Sequence, residues 1–368
     1  MKEINIAKTL MSKRKEKGIN QEELAAYIGV SKASVSKWET GQSYPDITFL
    51  PQLATYFNIS IDELMGYSPQ MTKSDIKKMY HRLSVDFSKK PFEEVYAECQ
   101  ELIKKYYSCF PLLLQMVVLL MNHFMLSKDN QSGVLHEIIV LCNRIKTESI
   151  DVWQSKQANS MEALSHLILN EPIEVLELLD ESIKPRLGEE TLLASAYQML
   201  GNTAKAKEAL QVSMYQSMLS FVDGFPMYLS LYQGDAEGLS KLIKQALSLT
   251  ELYDLNRLRP DLVVKIYLVA AQGYVGHQDY EAAMDMLQLY ADMCTENFFP
   301  LTLHGNEFFD SIDDWIAEFE LGKETPREEK VIKQSMLEGA KSPVYEPLKE
   351  LARYKSIIGN MKVKLGVL

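Results

Sequence analysis

Four cysteines in 368 residues, with no Cys-x-x-Cys pair, rule out a zinc ribbon and a disulfide scaffold. Cys99, Cys109, Cys142 and Cys294 read instead as reduced, mostly buried thiols, the usual state in cytosol. The six histidines show no paired ligand spacing, so no metal is expected, and no sequence element calls for another cofactor. Nucleophile motifs and glycine-rich phosphate loops are missing too, so no catalytic residue can be placed and an enzyme is not expected. No secretory signal opens the chain, where Met1–Lys17 reads as a charged amphipathic helix. The one strongly apolar run, Pro111–Leu126, is short for a membrane span and is interrupted by Gln115, Asn122 and His123. It reads as a helix buried between neighbours, and the protein as cytoplasmic with no membrane partner.

At 46% hydrophobic and 24% charged, the composition is that of an ordinary folded protein. Its charge is unevenly spread. Residues 1–45 carry eight Lys plus Arg against five Asp plus Glu, or +3, whereas the whole chain is −11, leaving −14 for residues 46–368. Only the head can attract a polyanion.

That head contains the most informative stretch, Asn20–Gly41. Leu24, Ala25 and Ile28 fall on one face of a first short helix. Gly29 suits a chain leaving that helix through a left-handed conformation. Ser31 can N-cap a second helix whose Val35 and Trp38 point back at the first. This is the pattern of a helix-turn-helix, whose second helix enters the major groove of double-stranded DNA. On that helix Lys32, Ala33, Ser36, Lys37 and Thr40 share one face.

Residues 4–66 resemble the phage-repressor (Xre, or Cro/C1) family of helix-turn-helix domains. The resemblance is carried by Arg14, Gly18, Asn20–Ala25, Gly29–Ser31, Val35–Gly41, Pro45–Asp46 and Ile59–Leu64. It implies a five-helix domain acting as a dimer on a palindromic operator. By resemblance, Lys32, Ala33 and Lys37 occupy positions that meet base edges. Lysine suits the acceptors of guanine, and the alanine methyl suits that of thymine. Gln21 matches a phosphate-clamping position, as do Thr40 and the Gly41 amide; Ser31 and Ser36 complete the candidate DNA-facing set. Arg14 and Glu39 match a structural ion pair tying the first helix to the end of the third.

The organisation expected is a DNA-binding domain over 1–66, a linker over 67–74 and a helical body over 75–368. Thr72 and Asp75 resemble a capping box opening the body. Long amphipathic patterns without convincing strand alternation make the fold class all-α: a helix-turn-helix domain followed by an α-solenoid. Taking Asn170, Gly201, Gly234 and Gln278 as equivalent turn positions, the spacings are 31, 33 and 44 residues, with a further copy near Lys89–Val95. Small residues after the turns and Tyr197 and Tyr274 before them resemble tetratricopeptide repeats. The Ser342–Leu348 segment is similar to the one that follows such arrays.

Stacked helix pairs of this type present a concave surface. In this register Gln198, Tyr228, Tyr232 and Gln272 face it, with Asn122 as a further candidate. Amides can pair with a peptide backbone and rings with its side chains. Head and body together resemble the peptide-pheromone regulators of the Rgg/PlcR/PrgX/NprR group. That resemblance implies a homodimeric transcriptional regulator whose repeats take a short peptide. A body that senses a small molecule or docks a partner protein is the alternative.

Overall fold

A computed structural model describes residues 5–67, 70–179, 183, 188–232, 234–319 and 321–367. Among them there are helices and turns but no strand. The chain divides into two compact units, Met1–Tyr80 with Pro91–Leu178, and His81–Lys90 with Leu179–Leu368.

The first unit begins with five short helices: α1 (Ile6–Glu16), α2 (Gln21–Ile28), α3 (Lys32–Glu39), α4 (Leu50–Phe57) and α5 (Ile61–Met65). They enclose a core of their own, in which Leu10, Leu24, Val35, Leu53 and Leu64 are fully buried. No helix here exceeds eleven residues, which is too short to be stable alone, so packing holds them. Local signals still set their ends. Asn20 Oδ1 accepts the amides of Glu22 and Glu23, while Glu23 accepts the Asn20 amide at 2.8 Å, a complete capping box. Gly29 leaves α2 at φ +82°, and the Ser31 hydroxyl then accepts the Ser34 amide to start α3.

Five of the next helices are α6 (Lys73–Lys89), α7 (Phe92–Lys105), α8 (Phe110–His123), α9 (Gln131–Glu148) and α10 (Val152–Ile168). α6 begins inside the stretch expected as linker, with the Thr72 hydroxyl accepting the Asp75 amide and donating to the Asp75 carboxylate. Ser68 and Pro69, also in that stretch, lie outside the described residues. α8 is the apolar run flagged by the sequence. It packs against α7, α9 and α10, which is why it is apolar nearly all round. No described helix is long and apolar enough to cross a membrane. The last helix before the division, α11 (Pro172–Leu179), buries none of its side chains.

The second unit holds α12 (Glu189–Met199), α13 (Thr203–Ser230), α14 (Ala236–Leu252), α15 (Leu255–Leu258), α16 (Pro260–Gly276), α17 (Tyr280–Asp292), α18 (Asp313–Ala317), α19 (Glu329–Ala340) and α20 (Ala352–Leu365). One large core joins α13 to α20. Tyr290, Tyr345 and Tyr354 bury their rings there and donate to the carbonyls of Met336, Leu268 and Ala340. A buried phenol keeps a partner because an unpaired one is costly.

Three of the four turn positions share one geometry. Asn170, Gly201 and Gln278 have φ of +62°, +73° and +63°. In each case the following amide, of Glu171, Asn202 or Asp279, donates to the carbonyl five residues back, on His166, Tyr197 or Tyr274. At Gly234 the following amide, of Asp235, donates to the Tyr232 carbonyl, three residues back. The neighbouring Gln233 lies outside the described residues.

Candidate nucleic-acid interface

The Gly29–Ser31 turn folds α3 back over α2, and the two helices sort their side chains by period. Val35 and Trp38 go into the core, and Trp38 meets Phe49 with ring centroids 5.9 Å apart. The opposite face carries Lys32, Ala33 and Lys37, all exposed, with Ser36 half-buried beside them. Ser31 spends its hydroxyl on the α3 N-cap. Thr40 turns its own inward, donating to the carbonyls of Ser36 and Lys37. The Gly41 amide closes the helix end on the Trp38 carbonyl at 3.2 Å.

Behind this face lies a buried ionic knot. Glu39 is only 4% exposed. Arg14 reaches it with two nitrogens, at 2.5 and 2.9 Å, and donates a third hydrogen bond to the Ile19 carbonyl. Gln21 adds its amide at 2.8 Å. Burial alone would push the Glu39 carboxyl up, but the bonds from Arg14 and Gln21 outweigh it and hold it below its ordinary value. The same contact raises the Arg14 guanidinium. Gln21 is therefore oriented by the core and does not wave freely at the start of α2.

The two outward lysines differ in a way the sequence did not reveal. Lys32 sits 3.2 Å from the Glu22 carboxylate on α2. Lys37 has no ion-pair partner among the described residues. Also unforeseen are Tyr44, on the loop after α3, and Ile47, which opens the short 3-10 turn that follows it, both exposed although large and apolar. No periodicity marks residues in such a loop, so only the folded chain reveals them.

The five candidate ligand residues divide between the two units, Asn122 in the first and the other four in the second. Asn122, in the first unit, donates its amide to the Val118 carbonyl of its own helix. Gln198 is exposed on α12. Gln272 is half-buried on α16. Tyr228 and Tyr232 do come together, hydroxyls 3.1 Å apart and rings edge to face. Of these five, only Tyr228 lines a groove of about 380 Å³ between α13 and α14, with Ser220, Phe221, Gly224, Phe225, Leu242 and Gln245. Phe221 stands 61% exposed there. A second hollow shares Ser220 and holds two ion pairs, Arg259–Asp261 and Lys265–Asp223. All four cysteines are buried free thiols, and burial pushes Cys142 and Cys294 up to about 12, leaving them unreactive. No cluster that could hold a metal ion occurs among the described residues.

With this geometry in view, residues 10–64 match the family HTH_3, helix-turn-helix. The chain thus carries a helix-turn-helix domain at its N-terminal end. It is 35% identical over 78 residues to the HTH-type transcriptional activator BcrR of Enterococcus faecalis. That similarity covers 20% of this chain and 38% of the relative, so the chain spans well under half of that relative's length. No solved structure matches the chain.

Proposed function

We propose that this protein is a sequence-specific DNA-binding transcriptional regulator. The observation that carries it is the exposed face of α3, where Lys32, Ala33 and Lys37 stand outward while Val35 and Trp38 lock the helix to its core. Lys32 and Lys37 read guanine acceptors, Ala33 meets thymine methyls, and Gln21, Thr40 and the turn at Gly41 face phosphates. Thr40 serves through its backbone surroundings, since its hydroxyl is already committed. The test uses a duplex selected from a random pool by the full chain. Lysine contacts to bases are worth about 1–3 kcal/mol each, so Lys32→Ala with Lys37→Ala lowers affinity at least about 30-fold. Undiminished binding by a double variant that keeps its wild-type circular dichroism would overturn the assignment.

The helical body, under the same proposal, pairs two copies and takes a short peptide in the groove beside Tyr228. Phe221, Phe225 and Tyr228 offer ring surface, and the Gln245 amide offers both a donor and an acceptor to a backbone. Two recognition helices must lie about 34 Å apart to read adjacent half-sites, so a peptide that favours one arrangement of the pair alters operator binding. Native mass spectrometry of the protein purified from its own host tests this. A dimer bearing a peptide-sized mass supports it; a monomer, or a dimer without adduct, counts against the corresponding half.

A further inference from the structure

Glu22, on α2, reaches the outward face of α3, where its carboxylate lies 3.2 Å from Lys32 Nζ. Its neighbour Glu23 is consumed by the capping box on Asn20, whereas Glu22 is left to reach across to α3. Both members of the pair are well exposed, 76% and 62%, so the contact is weak in water and easily exchanged. Lys37, one helical turn further on, has no such companion among the described residues. The two cations on this face are therefore not equivalent before DNA arrives.

The geometry points to Glu22 as a positioning residue that tempers DNA affinity by holding Lys32, acting as an internal stand-in for phosphate. The inference rests on the DNA-facing reading of α3 proposed above. On generic DNA, where no base rewards it, Lys32 stays with Glu22, and the head contacts the backbone with one cation fewer. On the operator, base acceptors in the groove draw Lys32 away, because a bidentate contact to guanine outcompetes a single solvent-screened carboxylate. Removing the carboxylate frees Lys32 for any phosphate on generic DNA and spares the operator complex the cost of breaking the pair, so both affinities rise.

The experiment compares wild type, Glu22→Gln, Lys32→Gln and the double variant in the full chain. Each is titrated by fluorescence anisotropy at several salt concentrations against two probes: the selected operator duplex and a scrambled duplex of equal composition. The expected result for Glu22→Gln is scrambled-duplex affinity up by about five-fold, with a salt slope steeper by about 0.9. Operator affinity rises by a comparable factor, because the wild type must break the pair to engage the groove. In the Lys32→Gln background the Glu22→Gln gain disappears. A merely structural role for Glu22 would not steepen the salt slope. Unchanged scrambled-duplex binding overturns the inference, as does a gain that persists without Lys32 or a loss of operator affinity on Glu22→Gln. Operator binding that ignores Lys32→Gln would instead refute the DNA-facing reading itself, which keeps the two failures distinct.

Discussion

Replacing Arg14 with leucine should turn the ionic knot beneath α3 from a support into a liability. In the native head the guanidinium makes two charge-assisted bonds to Glu39 and one to the Ile19 carbonyl. Glu39 is almost wholly buried, so Arg14→Leu leaves a carboxylate held by the Gln21 amide alone. Breaking a buried pair from one side costs about 3–5 kcal/mol. A head of this length is expected to have only about 3–9 kcal/mol in total, so it should be unfolded or close to it at 37 °C.

The assay is urea denaturation of the full chain with Trp153 and Trp315 replaced by phenylalanine, so that buried Trp38 reports on the head. The pH dependence sharpens the test. Glu39 is held below its ordinary value in the native head, so its contribution is present above the ordinary carboxylate range and fades as pH falls through the lowered one. Without Arg14, burial becomes the stronger influence and the native carboxyl rises above its unfolded value. The variant should therefore gain stability on going from pH 7 to pH 5, where the wild type does not. Pairing Arg14→Met with Glu39→Leu should recover at least about half of the loss, since apolar replacement of both partners removes the stranded charge. A loss below about 1 kcal/mol, or a variant whose midpoint ignores acidification, would refute the reasoning.

Other outcomes follow from single contacts. Gly29→Ala has space for its methyl but not the backbone conformation, so it should cost about 1–2 kcal/mol in the same urea assay, with Gly29→Asn costing less. Gln211→Ala should loosen the loop that α13 holds through Phe308, Asp310 and Ser311, at about 2–4 kcal/mol, visible as new protease cleavage between residues 304 and 312. Lys207, with Ser311 and Gln211, holds the Asp310 carboxyl down to about 2. Its carboxyl carbon in NMR should therefore not titrate between pH 7 and pH 4. Tyr228→Ala, at a half-exposed position, should leave the thermal midpoint nearly unchanged while removing peptide binding if the groove serves as proposed.

Much of the head was legible in the sequence because its signals are local. Asn20, Gly29 and Ser31 each act within three residues of themselves, and Leu24, Ile28, Val35 and Trp38 follow helical period. The turns at Asn170, Gly201 and Gln278 were legible for the same reason, as short backbone motifs. The candidate groove was not. Phe221, Leu242 and Gln245 meet Tyr228 only because α14 returns alongside α13.

The sequence by itself determined the all-α class, the helix-turn-helix and the sorting of α3 into a buried and an outward face, since each depends on residues a few positions apart. Only the tertiary structure decided that Glu22 takes Lys32 and leaves Lys37 alone, that Gln21 is drawn into the Arg14–Glu39 knot, and which rings share a groove. Those are meetings between helices, and they depend on packing directions that no local period encodes.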